Sequence, residues 1–484
     1  MRRRMGLLSR STTPDRAAAL VVLAVLVCCF GCAHHPMRMA QVRMLMAQQQ
    51  YLEALTEVDK VCKSEDDVLC LLEKGLLLHY AGKYRESNDV FERAEILTED
   101  LYTKSLSRQA VSLITSDLAL EYVPKPFEQV LVNYFRALNY MFLGLKEDAL
   151  VECRKASDKL ARYSEDEKRP YRHDAFLEYL TGILYEWGGE TNNAFISYRN
   201  AREAYRTYGE IFAIQTPPEL TCDLLRTAEE MSFRDEIAAI ALEERDRCTR
   251  AASGTDSTLA ATDLTGTARG YAKIVVFVEQ GFVPSIEEWS LNIPILKSEA
   301  EPAHDDPFNF SVGIAPRMYG YTYDIGDIAY FLRVAVPHYP DEVPDRPVPT
   351  IYLDSLALTP AKCEDTFSMA RKELDQDMPR IFAKTAVRAL AKYKLTDAAG
   401  DKWGKILGGL VNAATAATEQ ADLRAWLSLP RSIYLATIYV RPGQHCLSLA
   451  APRISPEIRS TPGSDRTAID VGPGTTVFVR LRQY

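Results

Sequence analysis

Cysteine, histidine and the carboxylates are the side chains whose types and spacing could do chemistry in this 484-residue chain, which holds ten Cys and seven His. Adjacent His445 and Cys446 form a nucleophile and base juxtaposition after a turn. Neighbours in a strand face opposite ways, however, and do not readily share a proton. His34 and His35 stand beside Cys32, His79 falls in an apolar helical stretch, His173 in a charged stretch, and His304 and His338 in Pro-containing loops. The Cys-x-x-Cys spacing from Cys29 to Cys32 has no second pair and no Cys/His companion set, which argues against a zinc module. No phosphate loop, nucleophile elbow or HExxH helix occurs. Paired carboxylates for glycan hydrolysis assemble only in three dimensions and stay open as an alternative. The sequence therefore assigns no catalytic residue, no metal ligand and no cofactor, and reads as non-enzymatic.

The remaining cysteine chemistry concerns the start of the chain. Arg2, Arg3, Arg4, Arg10 and Arg16 precede an apolar run over residues 17–30, followed by Gly31 and Cys32. That run matches the apolar part of a secretory signal and falls short of the roughly 20 residues a spanning helix needs. The segment Cys29-Phe30-Gly31-Cys32 resembles the lipobox of bacterial lipoproteins, with Cys29 where Leu is usual. The resemblance implies a signal peptide over 1–31, cleavage between Gly31 and Cys32, and lipidation of Cys32. With Ala33 next, it also implies delivery to the outer membrane, facing the periplasm. An ordinary secretory signal cleaved nearby is the alternative. Cys62 and Cys70 flank a short acidic loop and are candidates to bridge in an oxidising compartment. Seven Cys beyond Cys32 leave at least one unpaired within the chain.

Charge narrows the partners. The net charge is -9, and removing the five Arg and one Asp of the leader leaves 52 basic and 65 acidic side chains. So acidic a chain is a poor binder of nucleic acid, which needs clustered Lys and Arg. Proline divides the chain beyond the leader, with six between residues 33 and 255 and eighteen between 270 and 484. Because proline breaks helices, the first stretch can be helical and the second cannot be mostly so. Residues 251–269, rich in Ser, Thr and Gly, read as a linker. The expected fold class is thus α+β and multidomain: a helical domain over 32–250 and a mixed C-terminal domain over 270–484.

Three segments of the helical half share one spacing. Gly75, Gly82, Tyr84, Phe91 and Ala94 stand at offsets 0, 7, 9, 16 and 19; Ala137, Gly144, Ala149, Cys153 and Ala156 at 0, 7, 12, 16 and 19; Gly182, Gly189, Ala194, Tyr198 and Ala201 repeat the second set. The pattern resembles the tetratricopeptide repeat, in which small residues let two helices approach and an aromatic ring fills the gap. The offset-7 glycines belong in turns that need positive φ. Their separations of 62 and 45 residues exceed the regular repeat, so extra helices or long loops are expected between them. A half-repeat at Tyr51, Ala54 and Val58 and a helical stretch over 218–248 would extend and cap the stack.

The C-terminal half opens on a buried-strand run over 273–281, with further strands expected at 308–314 and 330–336. Residues 337–349 hold five Pro and form an extended loop. A long helix is expected over 363–394, kinked or divided at Pro379, with Arg380, Lys384, Arg388 and Lys392 on one broad basic face. The small-residue run over 406–418 reads as a packed helix. Two strand, Pro-Gly turn, strand patterns close the chain and predict terminal β-hairpins. The chain from 45 to 484 also resembles a poorly characterised family of bacterial envelope lipoproteins. The resemblance rests on the repeat segments and on Ala421-Asp422-Leu423-Arg424-Ala425-Trp426-Leu427-Ser428-Leu429-Pro430. Asp422, Arg424 and Trp426 are a candidate surface site, or else Asp and Arg pair while Trp packs on the sheet. The reading as a whole is a lipid-anchored periplasmic scaffold whose repeats bind an envelope protein. The alternative is a peptidoglycan- or polysaccharide-binding protein making its cell-wall contact through the C-terminal domain.

Overall fold

A computed structural model describes residues 35–62, 64, 66–112, 120–166, 174–240, 242, 244, 245, 248, 271–296, 328–341, 343, 346–403, 420–449 and 466–484. The expected signal peptide with Gly31 and Cys32, the linker over 251–269, the strand at 308–314 and the run at 406–418 lie outside these residues. None of the helices searched is long and apolar enough to cross a membrane.

The first half forms antiparallel helix pairs: α1 (His35–Ala47) with α2 (Tyr51–Val61), α3 (Val68–Tyr80) with α4 (Tyr84–Ser112), α5 (Pro126–Phe142) with α6 (Lys146–Asp166), α7 (Ala175–Trp187) with α8 (Thr191–Phe212), and α9 (Pro218–Glu230) with α10 (Arg234–Ala239). One turn chemistry joins every pair. Gln49, Gly82, Gly144, Gly189 and Ser232 all take φ between 59° and 75°. After each, the next amide donates to a carbonyl five residues back along the chain, as from Lys83 to Leu78 at 2.9 Å and from Glu190 to Tyr185 at 2.9 Å. This is the Schellman end of a helix, which satisfies carbonyls that the helix itself leaves unpaired. The long repeat spacing comes partly from helix length, since α4 alone runs for 29 residues.

Small and large residues interlock within the pairs. A Cβ on Gly75 would sit 2.6 Å from the Phe91 ring, and one on Gly182 would run into Tyr198. In the α5–α6 pair Ala137 occupies the glycine place and the smaller Cys153 the aromatic one, both buried. Ala94, Ala149, Ala156, Ala194 and Ala201 are each 1% exposed or less. Aspartates start two inner helices: Asp67 accepts from the Leu69 amide, and Asp174 from the Leu177 amide at 2.8 Å.

The second half contributes strands β1 (Ala272–Gln280), β2 (Glu287–Leu296), β3 (Ile328–His338), β4 (Ile351–Leu353), β5 (Leu356–Leu358), β6 (Ala361–Asp365), β7 (Ser432–Val440), β8 (Gly443–Leu449), β9 (Arg466–Val471) and β10 (Thr476–Gln483), with helix α11 (Thr366–Trp403) between β6 and β7. They form a sheet in the order β10-β1-β7-β6, a second in the order β5-β4-β8-β9, and a two-stranded β2-β3 ribbon. In the first sheet β1 runs parallel to β10 and antiparallel to β7. Its central strands are apolar on both faces. Val275, Phe277, Ile433 and Leu435 join the helical core, whereas Ile274, Val276, Ala436 and Ile438 pack toward the second sheet. The layers are therefore helix stack, sheet, sheet, and the two halves share one core.

Three expectations change. The chain does not end in β-hairpins. Both edges of β7 are taken by β1 and β6, so the chain leaving β7 through Pro442 and Gly443 begins the second sheet instead. Gly472, Pro473 and Gly474 carry it back from β9 into β10. The long helix begins at Thr366, because residues 363–365 finish β6, and it continues through Pro379. Its basic row is not one solvent face either, since Arg388 is 2% exposed.

Candidate functional site

A repeat stack offers its inner helices, here α3, α5, α7 and α9, as a binding groove. In this chain that groove is filled by the protein's own C-terminal half. Strand β1 presents Lys273, Val275, Phe277 and Glu279 to it, charged at both ends and apolar between. The Lys273 ammonium lies 2.9 Å from Glu186 on α7 and 3.5 Å from Asp223 on α9. Those carboxylates push the ammonium above its ordinary range against the opposing effect of burial, and Lys273 with Arg226 holds Glu186 down to about 2. At the other end, the Tyr134 hydroxyl donates to Glu279 at 3.4 Å.

Residues 420–431 cross the groove as an extended strap. Two buried glutamates on inner helices accept from its backbone, Glu128 from the Trp426 amide at 2.9 Å and Glu73 from the Leu427 amide at 2.8 Å. Glu128 also accepts from the Tyr122 hydroxyl at 2.6 Å and from the Lys125 amide at 2.7 Å. Burial raises both carboxyls, Glu73 to about 7. The Trp426 indole lies 5.8 Å from the Phe91 ring and 6.0 Å from Phe135, at tilts that suit edge-to-face aromatic contact. From β10, the Arg480 guanidinium donates to the His79 and Tyr80 carbonyls at the C-terminal end of α3, where a cation is favoured.

The candidate surface site is corrected by this packing. Asp422 and Arg424 do pair, at 2.7 Å, and Arg424 also donates to the Leu120 carbonyl at 2.9 Å. Trp426 is 1% exposed, so no surface site includes it, and its indole meets the repeat aromatics Phe91 and Phe135 in a core that also holds sheet residues. The small and aromatic repeat residues form hairpin cores and hold the groove in shape. Sequence reasoning missed Glu73 and Glu128, although Glu73, the one acid in the Leu-rich α3, was a usable signal.

Among the described residues, the other His and Cys side chains are held in contacts of their own. His79 is buried, with Nδ1 2.6 Å from Asn139 Oδ1, and burial pushes its pKa well below the ordinary value. His445 faces Asp354 through Nδ1 at 2.8 Å and the Arg441 carbonyl through Nε2 at 2.8 Å, turned away from any role as base to Cys446. Cys62 bonds to Cys70, and Cys222 bonds to Cys248, a second bridge that the spacing alone does not suggest. Cys153, Cys363 and Cys446 remain as thiols among the described residues. No group of three or more His, Cys, Asp or Glu is arranged there to hold a metal ion.

Neither a protein-family model nor a curated protein matches the chain. Among solved structures it is similar to MamA, at 14% identity and a TM-score of 0.28, covering 43% of this chain and 95% of that one. It is similar to aspartyl phosphate phosphatase F from Bacillus subtilis at 13% identity and a TM-score of 0.31, covering 49% and 54%. A third similarity is to BtubC from P. vanneervenii, at 15% identity and a TM-score of 0.31, covering 51% and 94%.

Proposed function

We propose that this protein is a lipid-anchored scaffold of the bacterial cell envelope that holds a protein partner on its β2-β3 ribbon rather than in its repeat groove. The filled groove carries the reading: β1 and the strap occupy the surface where a repeat stack would take a peptide. The ribbon pairs with no third strand among the described residues. Trp289, 51% exposed, and Leu291, 39% exposed, share one of its faces, in register with Val336 and Val334. An exposed Trp beside a second apolar side chain is the kind of anchor that dominates protein interfaces. Two disulfides support an oxidising compartment, in keeping with the lipobox at Cys32. The reading gives the protein no catalytic step.

Crosslinking and pull-down from intact cells tests it. The wild type should recover a discrete protein that Trp289→Ser/Leu291→Ser loses while remaining folded. Recovery of glycan strands instead, or of the same protein at equal yield with the double variant, would contradict the ribbon assignment.

A further inference from the structure

Helix α11 reverses its amphipathicity midway. Before Pro379 it follows the ordinary rule: Leu374 is buried, Met378 and Ile381 pack against the core, and Lys372, Asp375 and Gln376 stand in solvent. One turn later the two sides exchange character. Thr385 and Arg388 continue the inner row of Leu374 and Ile381 at helical spacing and are buried, whereas Phe382 is 51% and Val387 49% exposed on the outer side. Pro379 and Ala383 are exposed with them, and Ala386 is half-buried. The helix contacts β3, α5 and β7, and among the described residues none of its neighbours closes over this outer apolar strip.

The strip has the periodicity of a helix that packs on another helix. Gln376, Pro379, Ala383, Ala386, Leu390 and Tyr393 follow one another at alternating steps of three and four, all within α11, and one step beyond each end stand Lys372 and Asp397. The row is also matched to its own reverse about a point between residues 384 and 385. Laid antiparallel on a copy of itself there, the register sets Ala383 opposite Ala386, Phe382 opposite Val387, Pro379 opposite Leu390 and Lys372 opposite Asp397. Small residues thus meet at the centre, larger apolar ones around them, and opposite charges at the ends. Like charges stay apart, with the two copies of Arg380 about 14 Å from each other along the axis. A patch complementary to its own reversed copy is what a two-fold interface requires, and an unrelated partner would demand no such match.

We infer that the outer side of α11 is the surface through which two copies of this chain associate, antiparallel and two-fold symmetric, crossing at Ala383 and Ala386. The inference is independent of the partner proposed for the ribbon. One helix crossing buries less than the roughly 1,600 Å² of a standard stable interface, so association in the micromolar range is expected.

Sedimentation velocity on the intact chain and disulfide crosslinking test it. The wild type should pass from monomer to dimer as its concentration rises from about 1 to about 100 μM. Phe382→Ser/Val387→Ser, at two exposed positions, should keep the wild-type unfolding midpoint and raise the dissociation constant at least about tenfold. Ile196→Ser, which changes an exposed apolar residue on α8, should leave it unaltered. Crosslinking in a Cys446→Ser background needs no loss of the apolar strip. Ala383→Cys should give a disulfide-linked dimer, since its two copies lie within about 5 Å of each other along the axis, and Gln376→Cys should not, since its copies lie about 25 Å apart. A wild type that stays monomeric to about 100 μM overturns the inference, as does an unchanged dissociation constant in the double variant. Crosslinking at residue 376 with none at 383 overturns the antiparallel contact. A dimer weakened as much by Ile196→Ser as by the double variant places the contact elsewhere and overturns it too.

Discussion

Gly75 and Gly182 lack side chains because aromatic rings stand where a methyl group would go. Gly75→Ala and Gly182→Ala should each cost about 1–3 kcal/mol in denaturant unfolding, the ordinary penalty for overpacking, and Phe91→Leu should recover part of the Gly75→Ala loss. This complementarity was legible because each ring is sixteen residues from its glycine and the offset recurs. The groove acids were not legible, since Glu73 meets an amide 354 residues away. Those acids also set a pH dependence. Burial raises Glu73, Glu178 and Glu219 to about 7 and Asp174 to about 6, whereas Lys273 and Arg226 lower Glu186 to about 2. Between pH 5 and 7 the raised group stays protonated in the fold while the unfolded chain has ionised, so the fold binds more protons and stability falls as pH rises. Glu186 acts oppositely, its contribution being present above its ordinary 4.5 and lost as pH falls toward 2. Urea midpoints should therefore peak near pH 5, with Glu73→Gln flattening the decline from 5 to 7. A midpoint that rises steadily from pH 5 to 8 would contradict these burials.

At the scale of elements, the strap and the disulfides hold pieces that sequence separates. Trp426→Ala removes a buried indole from between Phe91 and Phe135 and should cost about 3–5 kcal/mol in equilibrium unfolding, as large-to-small core changes do. A loss below about 1 kcal/mol would place the strap outside the core. The bridge Cys222–Cys248 spans 26 residues and should contribute about 3 kcal/mol by the chain-entropy argument. Alkylating the unreduced, denatured chain from residue 33 onward should add three labels, on Cys153, Cys363 and Cys446, and reduction should raise the number to seven. Helix pairs were readable from turn glycines because a Schellman turn is decided within a few residues. Strand partners were not. The sequences around Pro442-Gly443 and Gly472-Pro473-Gly474 look like hairpin turns, but pairing depends on which edges other strands already occupy, as β6 occupies that of β7. The continuous apolar run of β1 was legible as a buried strand, but not that its two faces meet the helical core on one side and the second sheet on the other.

Across the whole molecule, helices and strands share one apolar core, with Val275, Phe277, Trp426, Leu427, Ile433 and Leu435 packed among residues of α3 to α9. The change of composition near residue 260 marks a change of secondary structure, and the packing carries across it. The stack consequently holds the protein's own sheet against its inner helices. Native-state hydrogen exchange on the intact chain, resolved by peptide across a denaturant series, tests this claim most directly. Peptides from β1 and from residues 421–431 should exchange with the same opening free energy and denaturant slope as those from α5 and α7, as one cooperative unit. Early exchange of β1 and the strap, with α5 and α7 still protected, would contradict it by showing a groove that opens while the stack stays folded.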